Sequence, residues 1–476
     1  MITQAKISHA VESNYSMIYP IYQGKSICKK IVAALGYDPL EDVDQSYGAI
    51  TFLNTMGKLP FKMIYFIGLG KEEEINPTTM LNAFGKIVKT VKEENLLADL
   101  HHADTANISA QEIAALFTEA ALLASYNFTK VGKAPEKEKT FELLSNDSIE
   151  SVIEQTVVVA NAINHTRTLG NMPSNLMTPV ILAEYASKLA KECSLESTIL
   201  TNKELEEIGA GALLAVNQGS EEEARLIVLK YNGAGDEPYT ALIGKGLTFD
   251  SGGYNLKPSA SMTGMKFDMC GGATVLGAIE VIAKLKLKAN VYAIVPSTEN
   301  MISGEGFKCD DVVTSLSKKT IEITNTDAEG RLILCDAITY ATQLGAKKII
   351  DIATLTGACV VALGDVYTGA FSNNDSFYNK FHAVSKEVNE KVWRMPLDDG
   401  YAKQLVTTST VADLINSGGR MGGASVAAEF LHQFVEDDIE WIHLDVAGTA
   451  SSTKANDLNP VGATGVMVKS LAKLFK

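Results

Sequence analysis

This sequence has few cysteines and no long apolar run. The six cysteines among 476 residues form no C-x-x-C pair, which favours reduced thiols over a disulfide framework. Cys335 and Cys359 lie in apolar surroundings, so we expect both in the core. No apolar stretch approaches the roughly 18 residues that a membrane helix needs, and residues 1–25 hold no apolar signal segment. We therefore expect a soluble cytoplasmic protein without a membrane partner.

Positive charge is also scarce. Lys and Arg number 42 against 57 Asp and Glu, which gives a formal net charge of -15. Nucleic-acid binding depends on clustered basic residues, so this balance argues against a nucleic-acid partner. The P-loop pattern G-x-x-x-x-G-K-[ST] is absent, and we interpret the pair Gly68 and Gly70 as a tight turn.

Two familiar hydrolase signatures are missing as well. The seven histidines form no H-E-x-x-H pair, which excludes the usual mononuclear zinc protease motif. No G-x-S-x-G elbow is present, so a serine hydrolase of that type has no support. Hydrophobic residues at 46% and charged residues at 21% are typical of an ordinary globular protein.

The pattern of the chain predicts two α/β domains joined by a helix. In the first part, 63–68 has the pattern of a buried strand, and Ser109 opens an apolar-periodic helix. Apolar positions repeat at helical spacing from 148 to 167, and Gly170 and Pro173 end that pattern. We predict a small N-terminal α/β domain at 1–150, a linking helix at 151–170 and a larger α/β domain at 171–476.

Strands and helices alternate in the larger domain, which predicts a mostly parallel central sheet. The predicted strands are 225–229, 240–243, 291–295, 320–324, 349–352 and 441–446, and the predicted helices are 271–285 and 332–344. Ligands of such sheets bind beyond the carboxyl ends of the strands. Four polar or glycine-containing segments follow these strands directly, so we expect them to converge on one site.

The most informative segment is NTDAEGRL at 325–332, between a predicted strand and a predicted helix. Residues two apart in an extended loop point the same way, so Asp327 and Glu329 would present oxygens to one point. Gly330 allows a close approach, and the helix N-terminus beside Arg331 favours an anion.

A second segment makes the interpretation specific. It reads GKGLTFDSGG at 244–253 and continues through Lys257 to MKFDM at 265–269. Together the two segments resemble the leucine aminopeptidase family, the cytosolic aminopeptidases that use two metal ions. The resemblance extends from about Asn164 to the C-terminus and weakens in the first 150 residues, and it implies that 171–476 is the catalytic domain.

The acidic residues of these segments are Asp250, Asp268, Asp327 and Glu329. Four carboxylates gathered without cations would repel one another, whereas two divalent ions would balance their charge. The residues therefore favour a dinuclear site. Carboxylate ligands suit harder or borderline ions, so we expect Zn or Mn, with Mg also compatible.

The resemblance implies how the ligands divide. Asp250 and Glu329 would bridge both ions, Asp327 would complete one site, and Lys245 with Asp268 would complete the other. A lysine ligand must be neutral, which an adjacent divalent ion promotes. Without the family, an ion pair between Lys245 and Asp250 is the simpler interpretation.

The resemblance also implies a reaction. A metal-dependent aminopeptidase of this kind releases amino acids from peptides with a free N-terminus, through a bridging water activated by the two ions. Lys257 would stabilise the oxyanion. Arg331 would hold a bicarbonate ion that acts as the base, with Gly330 and Leu355 as its backbone partners. The simpler interpretations are a solvated Lys257 and a salt bridge from Arg331 to a carboxylate of its own motif.

By the same resemblance, the pocket for the first side chain is lined by Met265, Asn325, Thr354, Gly357, Ala447 and Ala450. This mostly apolar wall suits Leu or Met, although Met265 is equally compatible with core packing. An apolar pocket discriminates a methylene by only about 1–3 kcal/mol, so we expect broad specificity. The family assembles as a homohexamer, a dimer of trimers, and we expect the same here.

Two other functions stay open on the sequence. A dinuclear phosphoesterase would share the carboxylates and use Arg331 as a phosphate clamp, although such sites usually add histidines. A binding or scaffolding protein would use the N-terminal domain for a nucleotide or nucleic acid. The complete set of metal and catalytic positions favours the aminopeptidase.

Overall fold

The computed structural model describes residues 2–4, 15–135, 137–145 and 147–476. Positions 1, 5–14, 136 and 146 of the expected N-terminal domain lie outside the described residues. The chain divides into two compact units, Met1–Asn161 with Lys454–Val461 and Ala162–Thr453 with Gly462–Lys476. The boundaries expected at 150 and 170 stay predictions. Within the described residues, every helix is too short or too polar to span a bilayer.

The first unit is built on one sheet with helices. Its strands are β1 (Ile2–Gln4), β2 (Ser16–Ile21), β3 (Ile50–Asn54), β4 (Met63–Gly68), β5 (Asn95–Asp99) and β6 (Thr140–Leu144). Its helices are α1 (Lys29–Leu35), α2 (Pro77–Thr90), α3 (Ala110–Ala124) and the first part of α4 (Glu150–Asn171). The strand order is β1-β6-β5-β2-β4-β3, with only β3 antiparallel to its neighbour in the described pairs. The predicted strand 63–68 is confirmed, and Ser109 caps α3 by accepting from the Glu112 N–H.

The second unit holds the larger sheet. Its strands are β7 (Glu196–Leu200), β8 (Arg225–Asn232), β9 (Thr240–Gly244), β10 (Gly246–Asp250), β11 (Asn290–Asn300), β12 (Val312–Thr314), β13 (Thr320–Glu322), β14 (Lys348–Ala353), β15 (Thr368–Ser372), β16 (Val392–Arg394), β17 (Leu414–Ile415), β18 (Glu440–Asp445), β19 (Ser451–Ser452) and β20 (Gly462–Ala463). Its helices are α5 (Pro179–Cys193), α6 (Asn202–Ile208), α7 (Gly211–Asn217), α8 (Ser259–Met262), α9 (Cys270–Lys284), α10 (Gly330–Gln343), α11 (Gly357–Leu363), α12 (Asp375–Glu387), α13 (Asp399–Val406), α14 (Gly423–His432) and α15 (Val468–Lys473). Short 3-10 turns at Pro39–Asp42, Glu72–Glu74, Ser174–Leu176 and Met265–Met269 complete the described elements of both units.

The central sheet has the order β16-β15-β18-β14-β9-β11-β8-β7, and β10 pairs with β11 beyond that path. The four neighbours β18, β14, β9 and β11 run parallel to one another. β15 is antiparallel to β18, β8 is antiparallel to β11, and β7 is antiparallel to β8. The predicted α/β class with a mostly parallel central sheet is therefore confirmed. Both Cys335 and Cys359 are buried in the core, as expected.

One predicted strand is partly wrong. The pattern at 320–324 forms β13 only as far as Glu322, and β13 belongs to a separate three-stranded sheet, β12-β13-β17. The chain leaves the ladder there because the N–H groups of Thr324 and Asn325 donate to the side chain of Asn416 instead of to a neighbouring strand. The motif at 325–332 thus starts from this small sheet.

A buried polar group joins β14 to β18 at the middle of the central sheet. Asp351 accepts from Trp441 Nε1 at 2.6 Å and contacts His443 Nδ1 at 2.5 Å, and all three side chains are fully buried. Burial lowers the pKa of His443, but the Asp351 carboxylate raises it to a net value above the ordinary one. The contact to Asp351 therefore favours the protonated imidazole of His443 in the interior of the sheet.

Removal of this carboxylate should destabilise the protein strongly. Asp351→Ala leaves the buried His443 Nδ1 and the Trp441 indole N–H without their partner, which costs about 3–5 kcal/mol in the free energy of unfolding. Chemical denaturation monitored by circular dichroism measures the loss, and the exposed Asp437→Ala is the control. A loss below about 1 kcal/mol for Asp351→Ala would contradict the assignment of this group as a stabilising pair.

Candidate dinuclear metal centre

Lys245 lies between β9 and β10, at the carboxyl end of the central sheet. Its N–H donates to the Ile352 carbonyl on β14 at 3.0 Å, and its side chain is only 3% exposed. A Cβ at Gly330 would lie 2.7 Å from both Cε and Nζ of Lys245. The close approach expected at Gly330 is therefore the approach of this lysine side chain.

Two buried carboxylates hold the Lys245 ammonium. Its Nζ lies 2.8 Å from Asp268 Oδ2 and 2.9 Å from Glu329 Oε1. The simpler interpretation of Lys245, an ion pair with Asp250, is wrong because these two carboxylates are its partners. Asp268 reaches the lysine from the 3-10 turn Met265–Met269, where its Oδ1 accepts from the Thr354 hydroxyl at 2.7 Å.

Asp250 ends β10, directly opposite Asn300 on β11. Its Oδ1 accepts from Asn300 Nδ2 at 2.9 Å and from the Gly252 N–H at 2.8 Å. Gly252 has a φ of +86°, and a Cβ there would lie 2.8 Å from Asp327 Oδ1. Backbone conformation and space both require glycine, so this turn brings Asp250 next to the second motif.

The second motif places Asp327 and Glu329 beside Asp250. One carboxylate oxygen from each of the three lies within 4.8 Å of the others. The extended loop expected from the sequence is wrong: Thr326 and Asp327 form a turn, and Glu329 already has helical angles, φ −81° and ψ −34°, just before α10. The Asp327 N–H donates to Asn325 Oδ1 at 2.9 Å and closes the turn. The carboxylates converge because of the turn.

Lys257 forms the second ion pair of the cluster. Its Nζ lies 2.7 Å from Asp250 Oδ2 and 2.6 Å from Asp327 Oδ1. The side chain is 13% exposed, so the interpretation of Lys257 as a solvated loop residue is wrong. Lys257 and Lys245 together contact all four acidic side chains of the two motifs.

The donor set fits two divalent ions. Four carboxylates against two ammonium groups leave an excess of negative charge in a mostly buried cluster. Oδ2 of Asp268 and Oδ1 of Asp327 are buried atoms that accept no hydrogen bond, and each faces a lysine nitrogen only as an ion pair. Oxygen donors with one amine nitrogen suit Zn, Mn or Mg.

The pKa shifts of the cluster follow first from burial and then from the neighbouring charges. Burial raises the pKa of Glu329 to about 8, with a further rise from Asp250 and an offset from Lys245. Burial also raises the pKa of Asp268 and of Asp327, against the effect of their lysine partners. Burial acts to lower the pKa of Lys245, but the surrounding carboxylates raise it above its ordinary value. A divalent ion would favour the ionised carboxylates and the neutral amine alike.

Arg331 is buried on the first turn of α10. Its Nη1 donates to the Asn416 carbonyl at 2.8 Å, and its guanidinium carbon lies 6.0 Å from the centre of the Phe430 ring. Its Nε is buried without a hydrogen-bond partner, and no carboxylate of the described chain forms an ion pair with it. The interpretation as a salt bridge is therefore wrong. Burial lowers the pKa of Arg331 to about 10, against the effect of Glu329 and Asp445.

The expected pocket residues lie on several elements of the second unit, and Thr354 contacts Asp268 of the cluster. Thr354 follows β14 and Gly357 begins α11, whereas Ala447 and Ala450 follow β18. Ala450 is only 2% exposed, so its side chain lies in the packed interior. Their role as a substrate pocket stays a prediction.

Asp445 joins the two loops that follow β14 and β18. Its Oδ1 accepts from the N–H groups of Leu355 at 3.2 Å and Ala447 at 3.1 Å, and its Oδ2 accepts from the Thr356 hydroxyl at 2.7 Å. The Leu355 N–H is thus engaged by this carboxylate, and its contact to bicarbonate stays a prediction.

The other two residues expected in the pocket flank carboxylates of the cluster. Met265 begins the 3-10 turn that carries Asp268, and Asn325 closes the turn that carries Asp327. Each is therefore placed next to the cluster by the same backbone that positions a ligand.

Sequence reasoning missed three supporting residues, Asn300, Asn416 and Asp445. Asn300 and Asp445 end strands of the central sheet, so the rule that sites form at carboxyl strand ends was a signal for both. Asn416 had no such signal, because it follows a two-residue strand without a motif.

Comparisons with known proteins agree with this geometry. Residues 164–472 match the model of the cytosol aminopeptidase family, catalytic domain, and residues 39–135 match that of its N-terminal domain. The solved structure of the bottromycin maturation enzyme BotP is 29% identical, with a TM-score of 0.86, over 97% of this chain and 98% of that chain. BotP in complex with Mn gives 29% identity and a TM-score of 0.87 over 97% and 99%. The resemblance inferred from the two motifs is confirmed and extends to the N-terminal domain.

The raised pKa of Glu329 predicts a pH-dependent cost to folding in chelator-treated protein. The folded-state pKa of Glu329 is about 8, against an ordinary 4.5, so the folded protein binds the proton of this carboxyl more tightly than the unfolded chain does. The contribution of Glu329 to the free energy of unfolding is therefore highest below about pH 4.5 and falls as the pH rises towards 8. Glu329→Gln removes the titration, so its stability relative to wild type should rise by about 1 kcal/mol or more between pH 5 and pH 8. Thermal unfolding at several pH values measures this difference.

The exposed Glu305→Gln serves as the control and should track wild type at every pH. A gap between Glu329→Gln and wild type that stays constant with pH would show that Glu329 ionises normally in the folded chain.

Proposed function

The chain belongs to the cytosol aminopeptidase family and is a dinuclear metallo-aminopeptidase of the leucyl aminopeptidase type, and we propose that it releases N-terminal Leu, Met and similar residues with broad specificity. The observation that carries the proposal is the convergence of Asp250, Asp327 and Glu329 within 4.8 Å, beside two buried lysines. Peptides with a free N-terminus are the substrates of such an enzyme.

The metal ligands are proposed from the same cluster. Asp250 and Glu329 would contact both ions, Asp327 would complete one site, and Lys245 with Asp268 would complete the other. Two such ions supply Lewis acidity and a water of lowered pKa. Lys245 must lose its proton to act as a ligand, so metal uptake releases a proton. Zn or Mn is proposed, with Mg compatible, and the Mn complex of BotP supports Mn.

Lys257 is proposed as the group that stabilises the oxyanion. Its ammonium is held between Asp250 and Asp327, two of the proposed ligands, and it is only 13% exposed. A fixed positive charge in such a dry site stabilises negative charge that develops in the transition state more than it stabilises the substrate.

Arg331 is proposed to hold a bicarbonate ion that takes the proton of the attacking water. Its guanidinium has a buried Nε without a hydrogen-bond partner, and Gly330 at the start of α10 offers a backbone N–H of the helix N-terminus. Leu355 is the other proposed backbone partner, and it would have to exchange its bond to Asp445.

The first side chain of the substrate is proposed to contact Met265, Asn325, Thr354, Gly357, Ala447 and Ala450. The loops after β14 and β18 supply four of these, and Asp445 ties those loops together. A cytoplasmic location and a homohexameric assembly are further proposals that rest on the family alone.

The central test is hydrolysis of leucine p-nitroanilide by protein loaded with Mn or Zn. We expect Glu329→Gln to reduce kcat/KM by a factor of about 10³ or more and to bind fewer than two ions, because a shared ligand is lost. Metal content is measured by mass spectrometry, and Glu305→Gln should retain both properties. Wild type that binds two ions but cleaves no free-amine peptide would refute the aminopeptidase, and p-nitrophenyl phosphate would then test the phosphoesterase.

Lys257→Met should separate catalysis from binding. We expect kcat to fall by about 10²–10³ with little change in KM, because the lost charge acts on the transition state. Metal affinity should be equal to or above that of wild type, since the ammonium no longer competes for Asp250 and Asp327. Lys308→Met, at an exposed ion pair, is the control. An unchanged kcat in Lys257→Met would remove this lysine from the mechanism.

A further inference from the structure

Asn416 follows β17 and lies beside the loop that carries Asp327 and Glu329. β17 runs parallel to β13, with Glu322 opposite Ile415, and the Asn416 N–H extends this pairing by donating to the Glu322 carbonyl at 3.0 Å. Asn416 therefore lies beside the point at which β13 ends and the motif at 325–332 begins. Its side chain is completely buried.

The side-chain amide of Asn416 forms hydrogen bonds to that loop through both its oxygen and its nitrogen. Its Oδ1 accepts from the N–H groups of Thr324 at 2.8 Å and Asn325 at 3.2 Å, and from the Thr324 hydroxyl at 3.2 Å. Its Nδ2 donates to the Asn325 carbonyl at 2.7 Å and to the Ala328 carbonyl at 3.3 Å. The loop has no neighbouring strand in the described chain, and the Asn416 side chain takes the place of one. Its hydrogen bonds run from Thr324 to Ala328, the residue before Glu329.

The backbone of the same residue holds Arg331. The Asn416 backbone carbonyl accepts a hydrogen bond from Arg331 Nη1 at 2.8 Å. Among the described residues, this is the only hydrogen bond that the guanidinium forms. Asn416 therefore connects the turn with two carboxylates to the guanidinium behind it. Within the described residues, its hydrogen bonds go to backbone groups, the Thr324 hydroxyl and Arg331, and none goes to Asp250, Asp268, Asp327 or Glu329.

We propose that Asn416 is a positioning residue that sets the spacing of Asp327, Glu329 and Arg331. This inference rests on the proposed function, since the spacing matters for divalent ions and for the anion beside them. Buried backbone groups need partners, so without the amide the loop must rearrange to find others. A displacement of about 1 Å at a catalytic group can cost a factor of about 10² in rate.

Asn217 provides a matched control in the same unit. Its amide is also buried, at 4% exposure, and also uses both ends: Oδ1 accepts from Asn202 Nδ2 and the Ala224 N–H, and Nδ2 donates to the Glu222 carbonyl and the Thr298 hydroxyl. None of these partners belongs to the two motifs. Asn217→Ala removes the same number of buried amide groups without touching the metal loop.

The experiment compares Asn416→Ala with Asn217→Ala. Titration of the chelator-treated proteins with MnCl2 in a calorimeter should show at least one Mn site weakened 10-fold or more in Asn416→Ala and within 2-fold of wild type in Asn217→Ala. With leucine p-nitroanilide and saturating Mn, kcat of Asn416→Ala should fall about 10²-fold while KM changes less than 3-fold. Equal behaviour of the two variants, or wild-type Mn affinity in Asn416→Ala, would overturn the proposal.

Asn416→Asp separates position from charge. An added carboxylate near the cluster would raise Mn affinity if charge alone mattered. Because the substituted oxygen faces the carbonyls of Asn325 and Ala328, the turn should be displaced and Mn affinity should fall instead. Increased Mn affinity in this variant would contradict the positioning role.

A measurement on wild type keeps the proposal testable if the variants do not fold. The N–H groups of Thr324 and Asn325 should exchange with deuterium at least 100-fold more slowly than in an unstructured peptide, and exchange at the peptide rate would overturn the proposal. Failure of the proposed function would be seen as wild type that neither binds Mn nor cleaves peptides. Failure of the present inference would be seen as wild type that does both, with an Asn416 variant that matches it.

Discussion

The second unit is organised around the gathering of four carboxylates in a mostly buried space. Such a cluster is costly unless positive charge accompanies it, and Lys245 and Lys257 each contact two of the carboxylates. Other features serve this arrangement: Gly330 makes room for Lys245, and the turn at Gly252 brings Asp250 to Asp327. The central sheet supplies Asp250 at the end of β10 and Lys245 after β9, and the other carboxylates meet them from neighbouring segments.

The sequence predicted the parts of the fold that depend on periodicity. Buried runs such as 63–68 and 349–352 are recognisable because they are apolar, short and bounded by turn residues. The strand at 320–324 was overextended because its alternating pattern continues through Thr324. Its final N–H groups bond to an amide more than 90 residues later, a contact that local pattern does not encode.

The chemistry of the site was predictable to a similar extent. The two motifs identify Asp250, Asp268, Asp327 and Glu329, because their spelling resembles a family. The pairing of the lysines could not be predicted, since Lys245 lies closer in sequence to Asp250 yet contacts Asp268 and Glu329. Long-range geometry decides such pairings. The supporting amide of Asn416 could not be predicted for the same reason, since it follows a two-residue strand without a motif.

Three of the four carboxylates are carried at the ends of strands from two different sheets. Asp250 ends a strand of the central sheet, whereas Asp327 and Glu329 follow the small sheet of β12, β13 and β17. The gap between them is bridged by amide and hydroxyl groups, with Asn300 donating to Asp250 and to the Thr326 carbonyl. The spacing between the carboxylates of the two sheets therefore depends at this seam on Asn300 and Thr326, which are uncharged. An uncharged joint of this kind allows the distance between charged groups to change while the charged residues themselves stay the same.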